Sequence, residues 1–391
     1  ERHDARKGTR TFHWLQDLPH PNYLIALTIG EWDEKTWDAD GVAVQAFVPK
    51  GLGGFIDLCF ARVPQMVKFF GRATGLKYPW AKYAQVCVPE FTFGGMENTS
   101  ITILHEYVLT DEKAYPDYSP DPLLSHELAH QWFGDWLTCK SWGHLWLNES
   151  FADYFECLWE EEHNGFDDFL VHLEETRQGY YEEAAKQYKR PIVTHKFVEA
   201  EDMLDNHTYN KGCGVLHMLR YVLGDTLWWK GIGHYLRKHG LQNVETTDFK
   251  VALEESTGKS LDWFFDEWLY RPGHPEFEVE WSWDEKARQV ELKVKQTQEL
   301  KDSVPLFRTP VVLEFATDDG TWRETVEIEK AEHTFRFRAP RRPSMVLFDP
   351  DGALLKKLTF KKEKEELDRL TTQRADVLGA KDNLLKTISE I

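Results

Sequence analysis

Two histidines four residues apart, His126 and His130 in the run His126-Glu127-Leu128-Ala129-His130, can hold one metal ion, because on a helix that spacing puts both imidazoles on one face. Glu127 follows the first histidine directly and so points about 100° around the helix, toward a water beside the ion and not the ion itself. Its chemistry would be that of a general base. A catalytic zinc ion takes three protein ligands and keeps one position open, so another donor must come from elsewhere in the chain. Glu149, in Trp146-Leu147-Asn148-Glu149-Ser150, opens a second apolar-periodic stretch running to Glu160 and could bring its carboxylate alongside the first helix. Asp135, His144 and Asp153 compete for that place. A metzincin would carry glycine and histidine where this chain has Phe133 and Trp136, which excludes that class.

Several elements must position these groups. The helix presenting the histidine pair is expected to start at Pro122 with Asp121 as N-cap and to bury Leu124, Leu128, Gln131 and Trp132. Ahead of it, Gly94-Gly95-Met96-Glu97-Asn98 lies between two strand-like runs, Tyr83 to Val88 and Ser100 to Leu104. Paired glycines in a strand let another backbone approach closely, although alone they read as readily as a bulge or turn. Downstream, Tyr209-Asn210-Lys211-Gly212 precedes an apolar helical run through Val222 that would hold the tyrosine on a rigid support.

Together these residues resemble the M1 family of zinc aminopeptidases, the gluzincins whose signature joins G-[AG]-M-E-N, HExxH and a glutamate after eighteen intervening residues; here those are Gly94 to Asn98, His126 to His130 and Glu149. The resemblance implies one zinc ion per chain held by His126, His130 and Glu149, with Glu127 as the base. It also implies a substrate-binding segment of Gly94, Gly95, Met96, Glu97 and Asn98, in which Glu97 meets the free α-amine. Tyr209, from a segment similar to the family's Y-x-K-G, would donate a hydrogen bond to the oxyanion. An internal peptide bond cannot offer an ammonium to Glu97, so cleavage would be confined to the first bond of peptides with a free N-terminus. Three other functions compete: a broad zinc endopeptidase, a bifunctional epoxide hydrolase as in one M1 branch that shares G-G-M-E-N, and a non-catalytic scaffold on the same fold. The intact ligands and base speak against the scaffold.

The whole chain fits a large hydrolase. Its 391 residues, 41% of them hydrophobic, exceed what one core usually supports, and a formal charge of −19 would repel nucleic acid. The five cysteines form no CxxC pair and are odd in number, so a full disulfide framework is not expected. No apolar run is long enough to span a membrane and no signal peptide is evident; with the odd cysteine count this leans toward the cytoplasm without fixing the localisation. Strand-like runs at Tyr23 to Trp32, Val42 to Val48 and 106 to 109, a helix from Phe55 to Thr74, and a nearly all-helical stretch from 121 to 270 suggest an α+β fold. After Arg271-Pro272-Gly273-His274-Pro275, period-2 alternation takes over. The expected organisation is a tail of an N-terminal β-domain at 1–20, a thermolysin-like zinc catalytic domain at 21–273, a small β-sandwich at 274–360 and an amphipathic helical segment at 361–391 that begins a helical-repeat region. The M1 resemblance thus suggests a fragment or reduced variant, whose exposed domain faces would favour homo-oligomers.

Overall fold

Asp40 and Gly41 both take positive φ, 54° and 92°, as the tightest two-residue hairpin turns require, and they join two strands that open the main sheet. The structure is a computed structural model and describes residues 2–4, 6–362 and 366. A short ribbon comes first, β1 (Arg2–Asp4) with β2 (Thr9–Thr11). The hairpin follows, β3 (Trp32–Ala39) with β4 (Val42–Pro49), and burial of Val44, Ala46 and Val48 turns one face of β4 to the core. With β5 (Lys82–Val88), β6 (Gly95–Met96) and β7 (Ile101–His105) they form a five-stranded sheet in the order β3-β4-β5-β7-β6, parallel at β4/β5/β7 and antiparallel at both ends.

Several expected boundaries move. Of the strand expected from Tyr23 to Trp32, only Trp32 joins a ladder, as the first residue of β3; the stretch begins instead in a single turn, Asn22–Leu24. The expected helix from Phe55 to Thr74 is two, α1 (Ile56–Phe60) and α2 (Val63–Thr74), because Pro64 in the first turn of α2 has no N–H to continue a ladder. In place of the strand at 106 to 109 there is a single turn, Glu106–Val108.

The helices follow: α3 (Asp121–Ala129), α4 (Trp146–His163), α5 (Phe166–Lys186), α6 (Gly212–Leu223), α7 (Asp225–His239), α8 (Thr246–Thr257) and α9 (Asp262–Trp268). Two short parallel strands interrupt them, β8 (Leu137–Cys139) and β9 (Gln242–Val244). Aromatic rings fill the space between α2, α3 and α4: Phe70 meets Trp132 and Phe155 edge-on, and Phe133 stacks on Phe151 at 4.3 Å. All five cysteines are free and buried, as small apolar residues would be.

The chain is of the mixed α/β kind and divides into two compact units, Glu1–Tyr188 with Ile192–Phe265, and Lys189–Pro191 with Asp266–Ile391. In the second unit β10 (Glu276–Asp284), β11 (Gln289–Gln296), β14 (Glu332–Arg338) and β16 (Lys357–Phe360) form one sheet. A second sheet holds β12 (Thr309–Thr317), β13 (Gly320–Ile328) and β15 (Met345–Phe348). Phe315 of β12 meets Phe337 of β14, and Phe277 of β10 meets Phe348 of β15, so apolar faces of the two sheets pack together. The helix expected over 361–391 falls, but for 361, 362 and 366, outside the described residues. No described helix is long and apolar enough to cross a membrane.

Candidate active site

α3 is short, nine residues, and its start is fixed by specific bonds. Pro120 is its N-cap, and Asp121, expected as the cap, is instead the first helical residue. The Asp121 carboxylate accepts two hydrogen bonds from the Arg62 guanidinium at 2.5 and 3.0 Å and one from the Trp159 indole at 3.3 Å. These tie α3 to the start of α2 and to α4. α4 begins three residues earlier than its sequence pattern suggests, at Trp146, which places Glu149 in its first turn.

His126, in the last turn of α3, and His130, at its C-cap, present their Nε2 atoms 3.2 Å apart. Glu149 Oε2 lies 3.5 Å from His126 Nε2 and 3.2 Å from His130 Nε2. A tetrahedral ion bound at about 2.0–2.1 Å would separate its ligand atoms by roughly 3.3 Å, so this triangle fits such an ion with little rearrangement. Both imidazoles are also held from behind. His130 Nδ1 lies 2.9 Å from the Phe133 carbonyl oxygen, to which it donates. His126 Nδ1 lies 3.1 Å from Asp153 Oδ1 and 3.5 Å from Glu156 Oε2, and the other Glu156 oxygen lies 2.8 Å from His172 Nε2. With Nδ1 engaged as donor on each ring, the Nε2 lone pairs are left for a metal.

The rival donors lie apart from this triangle, although His126, Asp153 and Glu156 make a second group of ligand atoms on the other side of the His126 ring. Asp153 sits behind His126, and the His144 Nδ1 pairs with the Thr246 hydroxyl at 2.9 Å. Among the described residues, neither Asp135 nor His144 joins a group of ligand atoms close enough to share an ion.

Glu127 and Glu97 are buried in the same place. One Glu127 oxygen has no hydrogen-bond partner, and burial pushes this carboxyl up to about 7 against the pull of the two imidazoles. Burial alone would raise Glu149 too, but the charge of His130 and the hydrogen bonds of both imidazoles prevail and hold it at about 2. Gly95 runs so close to Glu127 that a Cβ there would collide with the carboxylate; Gly94 is crowded in the same way by the Tyr107 hydroxyl. At 95 the crowding reaches back along the buried Glu127 side chain, so glycine serves close approach and not turn geometry; at 94 it involves only the tip of the exposed Tyr107.

Glu97 and Ser100 are fixed through Gln131, which follows α3. The Gln131 amide donates to the Glu97 carbonyl at 3.2 Å, and its oxygen accepts from the Ser100 N–H at 2.8 Å and from the Tyr78 hydroxyl at 3.1 Å. Asn98 Nδ2 donates to the Leu24 carbonyl at 3.2 Å. Met96 pairs with Ile103 in the sheet, and β6 ends that sheet as an edge strand. Tyr209 lies on a π turn, His207–Lys211, its ring parallel to that of His126 with centroids 6.2 Å apart. Burial, then the charge of Glu149, pushes its hydroxyl up, so it stays a donor. Gly212 lets this turn lie directly on Ser150, whose hydroxyl donates to the Thr208 carbonyl at 2.5 Å.

A mixed α/β framework carrying two imidazoles, a carboxylate and a buried unpartnered glutamate defines the class of proteins with a HExxH metal site. Within that class the chain belongs to peptidase family M1: the family's domain model, Peptidase family M1 domain, matches residues 59–268. It is 30% identical over 313 residues to aminopeptidase M1-A of Oryza sativa subsp. japonica, covering 77% of this chain and 35% of the relative. It is 31% identical over 285 residues to probable aminopeptidase 1 of Sulfurisphaera tokodaii, covering 68% of this chain and 35% of the relative. The chain thus spans about a third of the length of these curated relatives. In fold it is similar to the crystal structure of Legionella pneumophila aminopeptidase A in complex with aspartic acid, with a TM-score of 0.79 at 18% identity over 90% of this chain and 41% of that one.

Proposed function

We propose that the chain is a zinc-dependent aminopeptidase that hydrolyses the first peptide bond of peptides with a free N-terminus. The observation that carries this is the triangle of His126 Nε2, His130 Nε2 and Glu149 Oε2, with both Nδ1 atoms engaged elsewhere and a buried, unpartnered Glu127 oxygen beside it. His126, His130 and Glu149 would hold the ion. When bound, zinc would supply Lewis acidity, lowering the pKa of a water toward neutral and polarising the substrate carbonyl. Glu127 takes the proton of the attacking water and returns it to the leaving amine. Glu97 accepts hydrogen bonds from the α-ammonium, and the Tyr209 hydroxyl donates to the carbonyl oxygen as charge develops on it. The edge strand β6, narrowed to glycine at 94 and 95, lets an extended peptide lie close to Glu127. In this reading the first unit is a thermolysin-like catalytic domain near 21–273 and the strands of the second are a β-sandwich near 274–360.

A panel of aminoacyl amidomethylcoumarins and their N-acetylated forms, with and without chelator, tests the reading. Free-amine substrates should be cleaved and acetylated ones spared, with activity lost on chelation and restored by zinc. Equal cleavage of the acetylated forms would make the chain an endopeptidase.

A further inference from the structure

His207 stands two residues before Tyr209 on the same π turn, and the proposed reaction makes no use of it. The turn is closed by the Lys211 N–H, which donates at 2.8 Å to the carbonyl of Asn206, five residues back, and α6 follows at once. A π turn holds one residue more than an α-helical turn and is rare. Were it to rewind into α6, the residues ahead of it would swing about 100° around the helix axis, and Tyr209 would turn away from the His126 ring.

What opposes that rewinding lies on and just beyond α5. The His207 ring is fully buried, stacked on Tyr188 with centroids 5.3 Å apart and planes at 11°, and it meets Tyr180 at 5.2 Å and 82°. Its Nδ1 lies 2.7 Å from Glu183 Oε2; an ionised carboxylate only accepts, so Nδ1 carries the hydrogen and donates. The other Glu183 oxygen accepts from the Asn206 N–H at 3.4 Å, and Asn206 Nδ2 donates to the Gly179 carbonyl at 3.2 Å. Asp205 Oδ1 accepts from the N–H groups of His207 and Thr208 at 3.1 and 3.0 Å, while its Oδ2 accepts from the Tyr188 hydroxyl at 2.8 Å. Thr208, between His207 and Tyr209, is bonded through its carbonyl to Ser150 of α4. The turn is thus clamped between α5 and the helix that carries Glu149, and Glu183 bonds both the His207 ring and the backbone beside it.

We propose that His207, through its hydrogen bond to Glu183, is a positioning residue that holds the Tyr209 hydroxyl where the oxyanion develops. The proposal rests on the reading of Tyr209 as the oxyanion donor. His207 acts through the backbone of the turn, so its whole effect on the rate should pass through Tyr209.

Hydrolysis of leucine amidomethylcoumarin by the full zinc-loaded chain tests this in a double-mutant cycle. Tyr209→Phe should lower kcat by about 10²–10³-fold, the usual cost of one oxyanion donor. His207→Leu drops the ring and its donor; it should lower kcat by about 10–100-fold with KM within about twofold, since the bond to the oxyanion strengthens only as charge develops. Zinc content should not change. In the Tyr209→Phe background the same replacement should cost less than about twofold. An undiminished kcat in His207→Leu overturns the proposal, and so does an equal fold-loss in both backgrounds, because a merely structural residue would matter whatever stands at 209. If Tyr209→Phe keeps full kcat, the oxyanion reading falls and the proposal with it; if Tyr209→Phe is slow and His207→Leu is not, only the role of His207 falls. Should His207→Leu fail to fold, His207→Asn and His207→Gln decide the matter. The Asn amide nitrogen reaches the place of Nδ1 and the Gln nitrogen overshoots it, so His207→Asn should keep about tenfold more kcat than His207→Gln, and equal rates overturn the proposal.

Discussion

Glu127 and Asp153 both stand beside His126 and its partners, yet their removal should fail in opposite ways. Glu127 holds nothing in place; its free oxygen faces the site. Glu127→Gln should therefore keep full zinc content while turnover falls by about 10²–10⁴-fold, the usual contribution of a general base. Asp153 sits behind His126 and meets its ring at Nδ1. Asp153→Ala should weaken zinc binding by about 10–100-fold in chelator competition, with a much smaller loss of turnover once zinc is saturating. If both variants lost metal alike, the division between base and support would be wrong. The sequence distinguishes these roles only in part. Helical periodicity is enough to place His126, His130 and Glu127, because four residues is one turn whatever the surroundings. Asp153 follows Glu149 by the same interval and shares its face of α4, so spacing alone leaves it a rival ligand. Which of the two meets Nε2 and which meets Nδ1 depends on how α4 packs against α3, and no local pattern records that.

At the scale of elements, Gln131 joins α3 to the Gly94–Asn98 segment. Its position among Leu124, Leu128 and Trp132 marks it as buried, but only the fold shows that its amide replaces missing sheet bonds at Glu97 and Ser100. Gln131→Leu keeps the volume and strands the Ser100 N–H and the Glu97 carbonyl, each costing about 1–3 kcal/mol when left unsatisfied in the interior. The expected result is a lower melting temperature together with a KM that rises more than kcat falls, since Glu97 is displaced and Glu127 is not. A melting loss with unchanged KM would mean that Glu97 is held by other contacts. Elements away from the site were unevenly legible. The strand pattern of β10, β11 and β12 reads directly from alternation, because each buries one face along much of its length. β3 does not, since half of its residues are charged; its real signal is Asp40-Gly41, a hairpin turn that demands a partner for β4. The Tyr23–Trp32 stretch alternates like a strand, yet among the described residues only its last residue, Trp32, has a ladder partner, so hydrophobic periodicity overstates it.

For the whole molecule, the division into two units predicts where metal should be felt. All three proposed ligands, the proposed base, Glu97 and Tyr209 lie in Glu1–Tyr188 with Ile192–Phe265, and none lies in Asp266–Ile391. Metal bound to the folded state alone stabilises it by mass action, about 2.7 kcal/mol at a free concentration one hundred times Kd. Without the ion, two imidazoles and a carboxylate must share a buried space, so the helices that carry them are where opening should begin. Hydrogen exchange measured before and after chelation should show faster exchange in peptides from α3, the first turns of α4 and the Tyr209 turn. Peptides from β10 to β15 should exchange as before. The strands serve as an internal reference, because general unfolding would accelerate them as well. Acceleration confined to the second unit, or a chelator that changes nothing anywhere, would mean that His126, His130 and Glu149 are not where the protein holds its metal.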